Sequence, residues 1–320
     1  MATSNEFLNP GSVRTMASPT GTTDAPFGRM LTAMVTPFTP DGEVDYAAVR
    51  RLATYLVDEQ RNDGLIVNGT TGESPTTSDE EKQRIVSAVL DAVGDRATVV
   101  AGAGTNDTRH SVELAKQAAR AGAHGLLVVT PYYNKPPQEG LYRHFTAVAD
   151  ATDLPVMLYD IPGRSGVPIK TETLVRLAQH ERIVAVKDAK GDLFAASQVM
   201  AATDLAFYSG DDLLNLAWLS LGAAGFVSVV GHVVGAELAR MIRLHKSGEV
   251  AQALAVHSRL APVVDGIMLR AGGAIMAKAA LSLVGMPVGP VRLPLVDATE
   301  QQIAELRACL VAGGVKLTDT

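Results

Sequence analysis

One lysine lies where a charged amine is costly. Residues 183–190 read IVAVKDAK, in which four apolar residues predict a buried strand and Lys187 follows them directly. Burial disfavours the ammonium form and lowers the pKa of a lysine. A neutral amine condenses with a ketone to give an imine, from which an enamine can form and attack an aldehyde. Lys187 is therefore a candidate Schiff-base nucleophile, and the alternative is a structural lysine paired with a nearby aspartate.

Polar side chains also follow other apolar runs of the chain. Phenols such as those of Tyr133 and Tyr159 can transfer protons, although both could instead pack at a rim. Thr70 and Thr71 offer hydroxyls, and their structural alternative is a capped helix start. The guanidinium of Arg164 has the fork geometry that suits a carboxylate, with a surface salt bridge as its alternative. These groups form a candidate site only if the fold brings the ends of the runs together.

The apolar runs that must position these groups are short and nearly continuous. Such runs are typical of parallel strands covered on both faces. Their starts lie 19 to 34 residues apart, which leaves room for one helix between each pair. The runs occupy residues 31–38, 64–70, 98–104, 125–132, 155–161, 183–189, 206–211 and 225–230.

The intervening segments have the pattern of amphipathic helices. One is expected to begin at Ser78 or Thr77, and a second is expected to be capped by Thr108 and to end at Gly122 or Gly125. Eight strand–helix units predict a (β/α)8 barrel of the α/β class, with an open doubly wound sheet as the alternative. In such a barrel, the strand ends that bear the polar residues converge on one mouth.

The domain boundaries follow from the same pattern. After about residue 235 only helical pattern remains, so we expect a barrel over residues 30–235 and a small all-helical extension over residues 236–320. Residues 1–29 are rich in Ser, Thr, Pro and Gly and lack the apolar core of a signal peptide, which predicts a disordered leader. Met16 is an alternative start.

Composition excludes several classes of function. The 320 residues have a net charge of −6 and a sequence pI of about 5.7, which argues against nucleic-acid and anionic-membrane partners. The single cysteine, Cys309, suits a reducing cytoplasm, and no run of 18 apolar residues indicates a membrane span. The seven histidines form no metal-binding pair and no dinucleotide fingerprint follows the first strand, so we predict neither metal nor cofactor. The adjacent Asp211 and Asp212 disfavour a phosphosugar substrate.

Five motifs together resemble the dihydrodipicolinate synthase family, part of the pyruvate-dependent class I aldolase superfamily that includes N-acetylneuraminate lyase. They are GTTGES, VTPYYNKPPQEGLYRHF, LYDIPGRSG, VAVKDAKGD and YSGDD, within a similarity over about residues 30 to 310. The resemblance implies condensation of pyruvate with L-aspartate 4-semialdehyde to 4-hydroxy-tetrahydrodipicolinate, the first committed step of diaminopimelate and lysine biosynthesis. A 2-keto-3-deoxy sugar-acid aldolase or an N-acetylneuraminate-type lyase is the alternative.

The resemblance also implies roles for individual residues. Lys187 would form the Schiff base with pyruvate, and Tyr159 would donate and accept the protons. Thr71 would link Tyr159 to the third member of a proton relay, with Thr70 beside it at the pyruvate carboxylate. The third member, Tyr133, would reach into a neighbouring subunit's site, so we expect a dimer as the smallest complete unit and a dimer of dimers as the assembly.

The remaining implied positions concern substrate binding and regulation. Arg164 would hold the carboxylate of aspartate 4-semialdehyde, and it favours the synthase because the sugar-acid lyases usually lack it. Two residues would line the pyruvate pocket, Gly210 and Val227. At the lysine-feedback site of regulated members, Ser74 and Asn106 match the family pattern. Three further positions depart from it, so we do not expect strong inhibition by lysine: Asp79, Lys82 and His110.

Overall fold

Eight parallel strands close into a barrel in chain order, each pairing with the next and β8 pairing with β1. The protein is represented by a computed structural model that describes residues 25–318. Each apolar run of the sequence contains one strand, which confirms the predicted (β/α)8 fold. The strands are β1 Met30–Ala33, β2 Gly64–Val67, β3 Thr98–Gly102, β4 Gly125–Val129, β5 Val156–Asp160, β6 Ile183–Asp188, β7 Ala206–Ser209 and β8 Gly225–Ser228.

Helices separate the strands and continue after the barrel closes. A π-helical turn over Asp265–Leu269 joins two of the C-terminal helices. The α-helices are α1 Tyr46–Asp58, α2 Asp79–Val93, α3 Thr108–Ala121, α4 Gln138–Ala149, α5 Pro162–Ser165, α6 Thr171–Leu177, α7 Leu193–Ala202, α8 Asn215–Ser220, α9 Gly231–Lys246, α10 Val250–Val264, α11 Gly273–Leu283 and α12 Glu300–Ala312. Within residues 25–318, no helix is both long and apolar enough to cross a membrane.

The helix ends follow local capping chemistry. Ser78 begins α2 with a capping box, since its side chain accepts the amide of Glu81 and the Glu81 carboxylate accepts the Ser78 amide. Asp107 caps α3, so the expectation of a Thr108 cap was wrong by one residue; the Asp107 carboxylate accepts the Arg109 amide at the start of the helix. Gly122 ends α3 in the left-handed conformation, at φ 90°.

Two apolar layers account for the core. Strand residues that point outward pack against the helices, and those that point inward fill the barrel. The interior layer includes Leu31, Ile66, Leu127, Met157 and Val227, all nearly inaccessible to water. Because this layer closes the lumen, substrates can approach only from the mouth formed by the carboxyl ends of the strands.

Residues 25–29, which the sequence assigned to the leader, belong to the folded barrel. Phe27 is fully buried, its ring centre lies 6.4 Å from that of Tyr208, and the Tyr208 hydroxyl donates to the Gly28 carbonyl oxygen at 2.9 Å. A Cβ on Gly125 would lie 2.4 Å from the Phe27 ring, so glycine is needed for this close approach. The rest of the predicted leader, residues 1–24, lies outside the described residues.

The predicted boundary at residue 235 lies inside α9. This helix packs against β1 and α1 and therefore completes the barrel. The helices α10 and α11 pack against α9, and α12 packs against α10 and α11, which gives the helical extension expected from the sequence.

Loss of the Phe27 ring should weaken the whole domain. Phe27→Ala should lower the free energy of unfolding by about 3–5 kcal/mol, because a buried aromatic ring is replaced by a cavity. Urea denaturation followed by the fluorescence of the single tryptophan, Trp218, measures the change. Leu254→Ala, at a side chain 51% exposed on α10, is the control and should cost less than about 1 kcal/mol. Equal effects would mean that Phe27 is not part of the core.

Candidate active site

Lys187 lies near the end of β6, between Tyr159 of β5 and Tyr208 of β7 in the strand register. The residue is 4% exposed, and its Nζ lies 4.1 Å from the centre of the Tyr159 ring. Burial lowers the pKa of Lys187 to about 7; the Asp212 carboxylate opposes this shift, and the positive charge of Arg164 adds to it. A substantial share of the amine is therefore neutral at physiological pH, as a nucleophile requires.

The aspartates near Lys187 are engaged by other groups. The Asp188 carboxylate accepts the amides of Lys190 and Gly191 at 2.9 and 3.0 Å. Asp160 pairs with the Lys190 ammonium at 3.3 Å, and the Asp211 carboxylate accepts the Leu213 amide. None of these three carboxylates therefore pairs with Lys187, which argues against a structural lysine held in an ion pair.

Asp212 organises the end of β7, a role that sequence reasoning missed. Its buried carboxylate accepts four hydrogen bonds, from the Ser228 hydroxyl at 2.6 Å, the Asn215 amide group at 2.8 Å and the backbone amides of Val229 and Val230 at 2.7 and 2.9 Å. These bonds join the β7 end to the start of α9. In the sequence, Asp212 gave only the signal of a negative charge, because most of its partners lie about 16 to 18 residues further along the chain, at the end of β8 and just after it.

The Tyr159 ring lies against the reacting amine. Burial raises its pKa to about 12, whereas the positive charge of Arg164 and a hydrogen bond with the Thr70 side chain lower it. The resemblance implied that Thr71 is linked to Tyr159. In the structure, it is the Thr70 side chain that hydrogen-bonds to the phenol. Thr71 is buried at the next position of the turn.

A cavity of about 340 Å³ opens beside Tyr159. Its wall includes Thr70, Tyr132, Tyr133 and Arg164. Lys187 does not line the cavity itself, but its ammonium lies against the Tyr159 ring, which does. Among residues 25–318, no three His, Cys, Asp or Glu side chains are grouped so that they could hold a metal ion.

Gly210 and Val227 shape the surroundings of the lysine. A Cβ on Gly210 would lie 2.9 Å from Cγ and 3.0 Å from Cε of Lys187, so the missing side chain leaves the space that the lysine stem occupies. Val227 lies on β8, 1% exposed, in the apolar layer inside the barrel. Gly210 thus lies against the lysine stem, and Val227 belongs to the apolar layer that closes the barrel.

Arg164 offers an uncommitted positive charge at the cavity. It lies in the short helix α5, held by a hydrogen bond from its amide to the Ile161 carbonyl oxygen at 2.9 Å. Within the described part of the chain, no carboxylate pairs with its guanidinium, which argues against the alternative of a surface salt bridge. A planar cation in this position suits a carboxylate ligand.

Tyr133 is held in an unusual conformation at the edge of the cavity. It is 89% exposed and has a φ of 71°, in the left-handed region that an aromatic residue rarely adopts. The structure gives its phenol no hydrogen-bond partner among residues 25–318. The chain therefore brings Thr70, Tyr159, Arg164 and Lys187 together, and leaves Tyr133 largely exposed at the edge of the cavity.

The positions compared with the lysine-feedback site have other partners. His110 pairs with Asp79 at 2.9 Å. Lys82 is 8% exposed, and its ammonium donates to the Thr77 carbonyl oxygen. A buried cation at this point disfavours a second ammonium group nearby.

Comparison with known proteins agrees with this geometry. The profile described as the dihydrodipicolinate synthetase family matches residues 26–312. The chain is 64% identical over 300 residues to 4-hydroxy-tetrahydrodipicolinate synthase 2 of Streptomyces coelicolor, covering 94% of this chain and all of that protein. The chain belongs to this family. The sequence-based recognition is thereby confirmed.

Solved structures give the same result for the fold. A crystal structure of DHDPS from Cyanidioschyzon merolae with lysine bound superposes with a TM-score of 0.88 at 45% identity, covering 91% of this chain and 99% of that one. A structure described as the first monomeric dihydrodipicolinate synthase variant superposes with a TM-score of 0.87 at 38% identity, covering 92% of this chain and 100% of that one. The family fold and its mouth are thus present over the described chain.

A side chain at Gly210 should displace the lysine without unfolding the barrel. Gly210→Ala should slow adduct formation by about 100-fold with a carbonyl substrate, because a misplaced nucleophile loses its attack geometry. Borohydride trapping of the adduct with pyruvate measures this loss. Gly272→Ala, where a Cβ would meet nothing closer than 3.6 Å, is the control and should behave as wild type. An unimpaired Gly210→Ala would show that the stem is free to move.

Proposed function

We propose that this protein condenses pyruvate with L-aspartate 4-semialdehyde through a Schiff base on Lys187. The observation that supports the proposal most directly is the buried Lys187 amine, with a pKa lowered to about 7, against Tyr159. The product is 4-hydroxy-tetrahydrodipicolinate, and the reaction is the first committed step of diaminopimelate and lysine biosynthesis. The reaction is of the lyase type and resembles that of an aldolase, and the relatives of this chain are named for it.

The residues account for each step of the reaction. The neutral amine of Lys187 attacks the ketone carbon of pyruvate, and water leaves as the imine forms. Loss of a proton from the methyl carbon gives an enamine, which attacks the aldehyde carbon of the second substrate. The substrate's own amino group then displaces Lys187 from the imine carbon as the ring closes, so one water is released overall and the lysine is regenerated.

Proton transfer is assigned to Tyr159 and Thr70. With a pKa of about 12, the Tyr159 phenol is protonated at neutral pH, so it can donate to the oxygen that leaves as water. The Thr70 hydroxyl can pass the proton on, because it is the side chain that hydrogen-bonds to this phenol. We assign Thr71, one position farther along, to the pyruvate carboxylate, which reverses the order that the resemblance implied.

The decisive test is reductive trapping of the intermediate. With pyruvate and borohydride, we expect a stable adduct on the peptide that contains Lys187, found by mass spectrometry after digestion. Lys190 lies three residues away and is paired with Asp160, so it serves as an internal control and should stay unmodified. Lys187→Met should form no adduct. An adduct elsewhere, or none in the wild type, would contradict the mechanism.

Arg164 distinguishes the synthase from the sugar-acid lyases. Arg164→Met should raise the KM for aspartate 4-semialdehyde by about 10- to 100-fold, because a charge-assisted contact with its carboxylate is lost. The pyruvate adduct on Lys187 should still form. A parallel steady-state assay with 2-keto-3-deoxy sugar acids should give no turnover with either protein. Turnover of a sugar acid by the wild type would favour the alternative function.

The state of Tyr133 supports self-association. An aromatic side chain that is 89% exposed in a left-handed conformation is explained if a second copy receives it. We therefore infer a dimer in which each Tyr133 completes the relay of the other copy. Phe194, 76% exposed on α7, offers a second apolar contact for pairing two dimers. Since one solved relative is described as monomeric, this chain's assembly needs its own test.

A mixture of two inactive variants tests the shared site. Tyr133→Phe and Lys187→Met should each be nearly inactive alone. After subunit exchange, the mixed dimer has one site with both native residues, so about a quarter of the wild-type activity should return. Assaying the mixture against each variant at the same total concentration measures the recovery. Failure to recover activity in proteins shown to exchange would mean that Tyr133 does not act across the interface.

A further inference from the structure

The glutamate of the GTTGES motif does not face the cavity. Glu73 follows the Thr70–Thr71 turn, and it is 3% exposed. An ionised carboxylate is costly to bury unless it is paired and hydrogen-bonded. Its position therefore demands specific partners.

Those partners come from the C-terminal helical extension. The Glu73 carboxylate pairs with the Lys278 ammonium of α11 at 2.8 Å, and both side chains are almost fully buried. Its other oxygen accepts the backbone amide of Arg292 at 2.8 Å. The Lys278 ammonium also donates to the Pro290 carbonyl oxygen at 2.6 Å. Two parts of the chain about 200 residues apart thus meet at one carboxylate.

An aromatic ring and a second ion pair brace this contact. The Phe38 ring lies 4.2 Å from the Lys278 ammonium and 4.3 Å from the Arg292 guanidinium, measured to the ring centre. Arg292 also binds the two carboxylate oxygens of Glu81 at 2.6 and 2.9 Å and donates to the Thr76 carbonyl oxygen at 2.7 Å. The C-terminal segment is therefore fixed both to the loop that precedes α2 and to the first turn of α2.

The backbone connects this contact with Thr70. The Glu73 amide donates to the Thr70 carbonyl oxygen at 3.1 Å, and the Ser74 amide donates to that of Gly69 at 3.2 Å. Glu73 has a φ of 57°, a strained conformation for a residue with a side chain. Such a conformation persists only where the surroundings hold it. A shift of the Glu73 carboxylate would release this turn, and the Thr70 hydroxyl would move with it.

We propose that Glu73, Lys278 and Arg292 are positioning residues for the Thr70 hydroxyl, so that the C-terminal helices contribute to catalysis through the turn after β2. This inference rests on the proposed function, because it needs Thr70 to act in proton transfer at Tyr159. It accounts for a conformation and a buried ion pair that substrate binding does not require.

The test compares two charge-neutralising substitutions at the same junction. Glu73→Gln keeps an acceptor for the Arg292 amide but removes the counter-charge of Lys278. It should lower kcat about tenfold and leave the KM for aspartate 4-semialdehyde within about threefold, since Arg164 lies outside the turn. Glu81→Gln removes the charge that holds the Arg292 guanidinium but leaves the Arg292 backbone amide on Glu73 in place. It keeps its capping box and lies outside the turn, so its kcat should stay within about twofold of wild type.

A double-mutant cycle separates positioning from general stability. In the Thr70→Val background, no hydroxyl remains to be positioned, so Glu73→Gln should lower kcat by less than about twofold further. A purely structural role would instead add its full effect in both backgrounds. Full additivity, or a kcat for Glu73→Gln within twofold of wild type, would overturn the inference.

A second variant provides the same test if Glu73→Gln does not fold. Glu73→Gln/Lys278→Met leaves neither charge buried without its partner and should show the same tenfold loss of kcat; wild-type kcat in this variant would overturn the inference. The wild-type enzyme reports on the proposed function separately. If it forms the Lys187 adduct and condenses both substrates while Glu73→Gln is unimpaired, only the positioning role is wrong.

Discussion

Desolvation of one amine is the constraint on which the rest of the site depends. Lys187 is held at the end of a buried strand, where a shift of its pKa from 10.5 to about 7 corresponds to about 5 kcal/mol in favour of the neutral form. A neutral amine needs a proton donor within reach and a carbonyl compound held beside it. Tyr159 supplies the proton, and its own burial keeps it protonated. Arg164 lies close enough to lower both pKa values, which couples the binding of a carboxylate to the chemistry.

The barrel makes this arrangement possible, because parallel strands bring their carboxyl ends to one mouth. The closed interior below Lys187 excludes water, and Asp212 joins the β7 end to the following strand and helix. The turn with Thr70 is held both by the barrel, where the Thr36 hydroxyl donates to the Gly72 carbonyl oxygen, and by the C-terminal extension. Its left-handed Glu73 is held by Lys278 of the extension, so the helices after the barrel belong to the architecture of the site.

The sequence predicted the eight strands because strands covered on both faces leave continuous apolar runs. It missed Phe27, since one aromatic residue in a polar segment has no periodicity to reveal it. Lys187, Tyr159 and Arg164 could be proposed because each follows an apolar run or a turn. The choice between Thr70 and Thr71 depends on the direction of adjacent side chains in a turn, which no local pattern encodes. Glu73 and Lys278 lie in segments that are far apart in the sequence, and neither segment contains a local pattern that predicts their ion pair.

The most direct test of the account is the pKa of the Lys187 amine in the free protein. Competitive acylation with a trace amount of acetic anhydride across a range of pH, read out for each lysine peptide by mass spectrometry, reports the neutral fraction of every amine. Half-maximal reactivity of Lys187 is expected near pH 7. Reactivity that rises only near the ordinary pKa of lysine, about 10.4, would contradict it.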